Sequence, residues 1–331
     1  MTGSHDRESM MNALTQAMPY IRLYRGHVFV IKLGGALGSD PAALRELAAQ
    51  AVVLCEFGVR VVLVHGGGPQ TTDLAARLGL ETAMIDGRRV TSPATLEAAV
   101  MAMNGSVSTA ILAACRAAGL PAIGLSGVAA GLIRARVRPP VTVEGRDGPA
   151  SVDYGEVGDV VAIDRGVLDR LLGAGFVPVI SPIAADDRGR VLNINADTVA
   201  AEVARALAAD KLIFLTEAPG LLEDRRDPGS LVSYIDLGGL SRLEERGVIA
   251  TGMLPKIAAA RAALSGGVRR VHVVGFRQRR GLLIEVLTNE GSGTLIVGDT
   301  ADLLPAEHAA PRAAATAGAA GAGAAGAVTA A

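Results

Sequence analysis

Lysines that close apolar runs, and the glycines near them, are the residues of this chain best placed to do chemistry. Lys32 ends the run Val28-Phe29-Val30-Ile31 and is followed at once by Leu33-Gly34-Gly35. A lysine at the end of a buried strand is costly unless its ammonium reaches water or an anion. The two glycines let the backbone turn and bring N–H groups close to a ligand, and a phosphate satisfies both features. A second loop, Val64-His65-Gly66-Gly67-Gly68-Pro69, joins an apolar run to a proline-initiated helix whose amino terminus favours negative charge. It is neither a Walker A loop nor a G-x-G-x-x-G turn. Asn193-Ile194-Asn195-Ala196-Asp197 leads from a strand into a helix. Strand alternation puts Asn193 and Asn195 on one face, where two amides can position a polar substrate. Asp197 is then either a helix cap or a carboxylate that orients lysines. Lys256, in Thr251-Gly252-Met253-Leu254-Pro255-Lys256, falls in the first turn of a helix, where a solvated lysine is the plain alternative.

Strands and helices in alternation must carry these loops. Short apolar runs at 28–31, 61–64, 122–125, 177–180, 211–215 and 271–274 are separated by helical stretches such as 41–57, 92–118 and 198–208. That alternation predicts a mainly parallel sheet covered on both faces, with ligands at the carboxyl ends of the strands. Asp186-Asp187-Arg188-Gly189 reads as a hairpin turn, so some strands should be antiparallel. Residues 10–24 read as an amphipathic helix with Met10, Leu14, Met18 and Ile21 at helical spacing. The end of the chain is a low-complexity Ala/Gly tail.

Composition narrows the function. The 331 residues are 50% hydrophobic and 20% charged, ample for a core and too apolar for a disordered chain. A net charge of −1 gives no general attraction to nucleic acid or anionic membrane. With no Trp and 3% aromatic residues, stacking platforms for single strands are missing. Cys55 and Cys115 stand in apolar helical stretches and read as buried thiols. No signal-peptide core or run of 18 apolar residues appears, so a soluble, cytoplasmic protein is expected.

The motifs Lys32-Leu33-Gly34-Gly35, His65-Gly66-Gly67-Gly68, Gly87-Arg88-Arg89-Val90-Thr91, Asn193-Ile194-Asn195-Ala196-Asp197 and Gly252-Met253-Leu254-Pro255-Lys256 occur together and in this order. From about Leu14 to Gly298 the chain thereby resembles the amino-acid kinase family, and within it the members that act on N-acetyl-L-glutamate. Gly155-Glu156-Val157-Gly158-Asp159-Val160 and Gly291-Ser292-Gly293-Thr294 support the match. The resemblance implies a three-layer αβα sandwich around a mainly parallel sheet. It divides the chain into an amino-terminal extension (1–26), a kinase domain (27–300) and a tail (301–331). The first part of the kinase domain would serve substrate and dimer, and the second ATP. The implied reaction is ATP-dependent phosphorylation of the side-chain carboxylate, giving an acyl phosphate in arginine biosynthesis. Lys32 and Lys256 match the phosphate-contacting lysines, and Asp197 the carboxylate that holds them. Gly34, Gly35, Gly67 and Gly68 match the backbone cradle, with Gly67 and Gly68 on the substrate side. Arg89 and Asn193 match the groups that hold the acetylated amino acid. Physical chemistry agrees: a carboxylate is already ionised at pH 7, so the enzyme must overcome repulsion between anions and align the attack. No Asp/Glu cluster suggests a metal cage, so Mg²⁺ is expected to arrive with ATP.

The same resemblance extends to regulation. The stretch 14–21 is similar to the extra helix of arginine-sensitive members, which implies a homo-oligomer, dimer or hexamer, and L-arginine as effector. Glu285 and Gly291 match positions associated with the arginine site. Departures stand at Ser106–Thr109, at Val128-Ala129-Ala130, at Glu217 and at Gly275-Phe276. Two other readings keep the motifs: a kinase for a related blocked amino acid such as 2-aminoadipate, and a non-catalytic arginine-sensing module.

Overall fold

The computed structural model describes residues 2–85, 88–145, 148–224, 226–288 and 291–303. Gly87 of the arginine motif and the Ala/Gly tail from 304 lie outside the described residues. An eight-stranded sheet runs in the order Tyr234–Asp236, Thr294–Val297, Arg270–Gly275, Lys211–Thr216, Val28–Leu33, Arg60–His65, Val177–Ser181, Ala122–Ser126. Every pairing is parallel except that of Arg270–Gly275 with Thr294–Val297. Only Val28–Leu33 with Arg60–His65 and Arg270–Gly275 with Thr294–Val297 are neighbours both in space and in sequence; the parallel pairs need crossover connections.

Strand alternation divides the core into two layers. Val30, Val62, Val64, Leu212 and Phe214 face one side and pack with Val199, Val203, Ile257 and Ala260 of the helices Ala196–Ala206 and Leu254–Ser265. Phe29, Ile31, Leu33, Val61 and Leu63 face the other and pack with Leu47, Leu54 and Ile111. Those residues come from the helix Pro41–Glu56 and the helical stretch Pro93–Ala117. The expected αβα sandwich is the observed architecture.

A smaller sheet runs in the order Val191–Asn193, Ile183–Ala185, Ile133–Val137, Gly158–Ile163. Its first two strands form the antiparallel hairpin predicted around Asp186. Two further hairpins, Ala83–Ile85 with Arg88–Val90 and Val141–Gly145 with Gly148–Val152, had no clear apolar signal.

The helical stretch at 92–118 is continuous but carries a π-helical turn at Met101–Val107. By length and composition Pro93–Ala117 could cross a membrane, yet Ala98, Ala99, Ala102, Val107, Ile111 and Cys115 are buried in this domain. The amino-terminal helix is longer than predicted, Thr2–Tyr24. Tyr24 is buried against Phe29, whereas Leu14 and Met18 are 47% and 40% exposed. Burial raises the thiols of Cys55 and Cys115 to about 11, which keeps both protonated at neutral pH.

Candidate active site

Lys32 shares its strand face with Val30 and so points beneath the helices Ala196–Ala206 and Leu254–Ser265. Those helices pack on each other and both begin at the carboxyl edge of the sheet. Asp197 lies in the first turn of one and Lys256 in the first turn of the other. The Lys32 ammonium lies 2.7 Å from Asp197 Oδ1, and the Lys256 ammonium donates to Asp197 Oδ2 at 3.4 Å. Asp197 is 4% exposed and Lys32 6%. Burial alone would raise the Asp197 carboxyl, but the charges of Lys32 and Lys256 outweigh it and hold the group below the usual carboxylate range. Burial lowers the Lys256 ammonium against the opposing pull of Asp197. Two cations on one carboxylate leave a surplus positive charge at the sheet edge, where an anion would complete the pairing.

One detail of the sequence reading changes. Asn195 does not extend the strand face of Asn193; its Oδ1 accepts from the N–H groups of Asp197 and Thr198 and caps the helix. Because Asn195 takes the cap, Asp197 is released to bridge the lysines.

The glycine loops meet beside this cluster. A Cβ on Gly34 would lie 2.8 Å from the Leu215 carbonyl oxygen, one on Gly35 2.7 Å from Pro69 Cδ, and one on Gly67 2.7 Å from Met103 Cγ. Those three positions are glycine because a strand end, the facing loop and a helical turn pack directly against them. At Gly68 nothing among the described residues stands within 4 Å, so there the missing side chain leaves room for a ligand. Arg89, on the hairpin strand Arg88–Val90, donates from Nη2 to the Gly68 carbonyl at 3.0 Å and to Thr72 Oγ1 at 2.7 Å. Its Nη1 is buried with no acceptor among the described residues. Asn193 Nδ2 reaches Thr91 Oγ1 at 3.4 Å. A cleft of about 280 Å³ connects Lys32, Gly35, Gly67, Gly68, Arg89, Asn193 and Asp197. Arg138 also lines it and donates from Nε and Nη2 to Asp159 Oδ1 at 3.0 and 2.6 Å. The sequence reading missed Arg138. Its only signal was the alternation Arg134-Ala135-Arg136-Val137-Arg138. A second, apolar cleft of about 70 Å³ is lined by Leu221, Leu243, Val248, Ile249 and Met253, at the start of the Lys256 helix.

Among the described residues, no group of three His, Cys, Asp or Glu side chains could hold a metal ion. Both Asp197 oxygens face lysines, a poor donor set for a cation. Glu285 and Gly291 lie away from the cleft. The Glu285 carboxylate accepts from the Ser292 and Gly293 N–H groups at 2.5 and 2.8 Å and meets His272 Nδ1 at 2.7 Å. His272 Nε2 in turn lies 3.1 Å from Lys211 Nζ, which sits over the Tyr24 ring. Gly291 has φ +65°, the left-handed conformation that favours glycine. Glu217, a departure from the family pattern, lies 3.6 Å from Arg277 at the surface.

Curated relatives match this chain over most of their length. Residues 27–275 match the family described as Amino acid kinase family. An acetylglutamate kinase of Myxococcus xanthus is 49% identical over 292 residues, covering 88% of this chain and 95% of the relative. The chloroplastic acetylglutamate kinase of Arabidopsis thaliana is 40% identical over 285 residues, covering 86% of this chain and 79% of that one. The N-acetylglutamate synthase of Neisseria gonorrhoeae, solved with coenzyme A and N-acetyl-glutamate, superposes with a TM-score of 0.75 at 29% identity. The match covers 88% of this chain and 64% of the synthase. A Giardia carbamate kinase shares the fold at 19% identity, with a TM-score of 0.59 and coverage of 83% and 99%. With five motifs gathered at one sheet edge and relatives aligned almost end to end, the chain belongs to the amino acid kinase family.

Proposed function

We propose that this chain phosphorylates the side-chain carboxylate of N-acetyl-L-glutamate with ATP, giving N-acetyl-L-glutamyl 5-phosphate in arginine biosynthesis. The observation that carries the reading is the buried Lys32–Asp197–Lys256 bridge at one end of a cleft that holds Arg89 at its wall, its Nη1 without an acceptor among the described residues. Arg89 and Asn193 hold the α-carboxylate end of the acceptor, since a guanidinium suits a planar carboxylate. The side-chain carboxylate then reaches toward Lys32 and the glycine loops. No general base is needed, because the nucleophile is already an anion. Lys32 and Lys256 neutralise the transferred phosphoryl group, and Asp197 keeps both ammonium groups aimed at it. The apolar cleft beside Met253 accepts the adenine, and Mg²⁺ would arrive with the nucleotide and add positive charge at its phosphates.

The intact lysine–aspartate bridge favours catalysis over a sensing role. Hydroxylamine trapping with N-acetylglutamate, glutamate and N-acetyl-2-aminoadipate side by side tests the acceptor. Hydroxamate from N-acetylglutamate in clear excess is expected; a preference for the longer acid would transfer the reading to the aminoadipate kinase. We further propose a cytoplasmic homo-oligomer whose amino-terminal helix buries Leu14 and Met18 on a neighbouring copy, with L-arginine acting near Glu285 and Gly291.

A further inference from the structure

Gln70 has no part in the reading so far, yet its amide joins the two glycine loops. It stands in the first turn of the helix Gly68–Arg77, and its Nε2 donates to the Gly35 carbonyl at 2.8 Å and to Ser39 Oγ at 2.6 Å. The Gly34 carbonyl is also held, by the Leu37 N–H at 3.1 Å. In a trans peptide the N–H points opposite to the carbonyl. Anchoring the Gly34 carbonyl therefore aims the Gly35 N–H the other way, and anchoring the Gly35 carbonyl does the same for the Ala36 N–H. Neither N–H donates to a protein acceptor among the described residues. Two adjacent free N–H groups form a concavity that suits an anion.

The orientation of the Gln70 amide is set by these contacts, because its oxygen would be repelled by the Gly35 carbonyl. That leaves Oε1 buried with no donor among the described residues. Such an orphan costs about 1–3 kcal/mol. It persists where the alternative would release a backbone carbonyl toward the site. The same helical turn is gripped from the substrate side by Arg89 through the Gly68 carbonyl.

We propose that Gln70 is a positioning residue for phosphoryl transfer: it holds the Gly35 carbonyl away so that the Ala36 N–H faces the transferred group beside the Gly35 N–H, which the Leu37 contact to the Gly34 carbonyl aims. This rests on the reading that the phosphoryl lies over the Gly34-Gly35 loop. Without the amide, the Gly35–Ala36 peptide is free to flip, and a carbonyl oxygen then meets the developing negative charge. Misplacing such a group costs about 10- to 100-fold in rate.

The test compares the full-length parent with Gln70→Met and Gln70→Glu, following hydroxamate formation and thermal melting. Gln70→Met should lower kcat about 10- to 100-fold while KM for N-acetylglutamate, held at Arg89 and Asn193, moves less than about threefold. Gln70→Glu supplies a readout that loss of packing does not move. Its protonated carboxyl can donate to the Gly35 carbonyl and its ionised form cannot, so its kcat relative to the parent should rise as pH falls from about 8.5 to 5.5. A parent without activity refutes the proposed reaction itself. An active parent with Gln70→Met within twofold of its kcat overturns the role of Gln70. So does a pH-independent ratio for Gln70→Glu.

Discussion

Asp197→Asn keeps the shape of the side chain and deletes the one negative charge between two buried ammonium groups. Lys32 and Lys256 lie 2.7 and 3.4 Å from its oxygens. At an effective dielectric constant of about 20, each contact is an attraction of roughly 5–6 kcal/mol. Desolvation of the three groups offsets most of this, so the net loss is set by the lysines left unpaired. Removing one partner of a buried ion pair costs about 3–5 kcal/mol, or roughly 10 °C in Tm for a chain of this size. The pH dependence carries a definite sign. The folded-state carboxyl titrates below its unfolded value near about 4, so its contribution is complete above that value and is lost as pH falls through the folded one. Urea denaturation from neutral to acid pH reads both effects: the variant should be less stable at pH 7, and the gap should close on acidification. Turnover should collapse with little rise in KM for ATP, because the surplus positive charge still attracts phosphate. A variant within about 1 kcal/mol of the parent at pH 7, with unchanged acid sensitivity, would refute the electrostatic reasoning.

Three other changes probe separate parts of the account. Lys32→Ala and Lys256→Ala should each abolish most turnover in steady-state assays while staying folded at a lowered Tm, since both charges act chiefly in the transition state and each also pairs with Asp197; near-parental kcat in either removes its role. Arg89→Lys should raise KM for the amino-acid substrate far more than KM for ATP, because one ammonium cannot reproduce a forked contact; equal shifts would place Arg89 elsewhere. Deleting residues 1–24 should give an active dimer that no longer responds to arginine, read by sedimentation and inhibition curves, and a full-length protein that sediments as a dimer would sink the hexamer.

Much of this was legible because strand alternation and glycine loops are local signals. The run ending at Lys32 gave both its strand and, through period two, the face on which its ammonium must find a partner. The partners themselves, 165 residues away in sequence at Asp197 and farther still at Lys256, came from motif resemblance and not from spacing. Periodicity misassigned Asn195 because strand Val191–Asn193 stops two residues before it and helix capping takes over. Arg138 and Gln70 were invisible for a different reason. Arginines on a strand and a glutamine in a helix are ordinary, and only the tertiary contacts to Asp159 and Gly35 distinguish them. The π-helical turn at Met101–Val107 has no recognisable local signature, yet it sets Met103 against Gly67.

The central claim is that the acceptor's side-chain carboxylate attacks the terminal phosphorus of ATP. N-acetylglutamate labelled with ¹⁸O in that carboxylate, incubated with enzyme, Mg-ATP and hydroxylamine, tests it directly. Attack by the carboxylate places one labelled oxygen between carbon and phosphorus, and hydroxylamine then breaks the acyl bond at carbon. The account predicts inorganic phosphate bearing a single ¹⁸O, in amounts equal to the hydroxamate formed. Phosphate without label, released alongside ADP, would mean that water and not the substrate receives the phosphoryl group, and would contradict it.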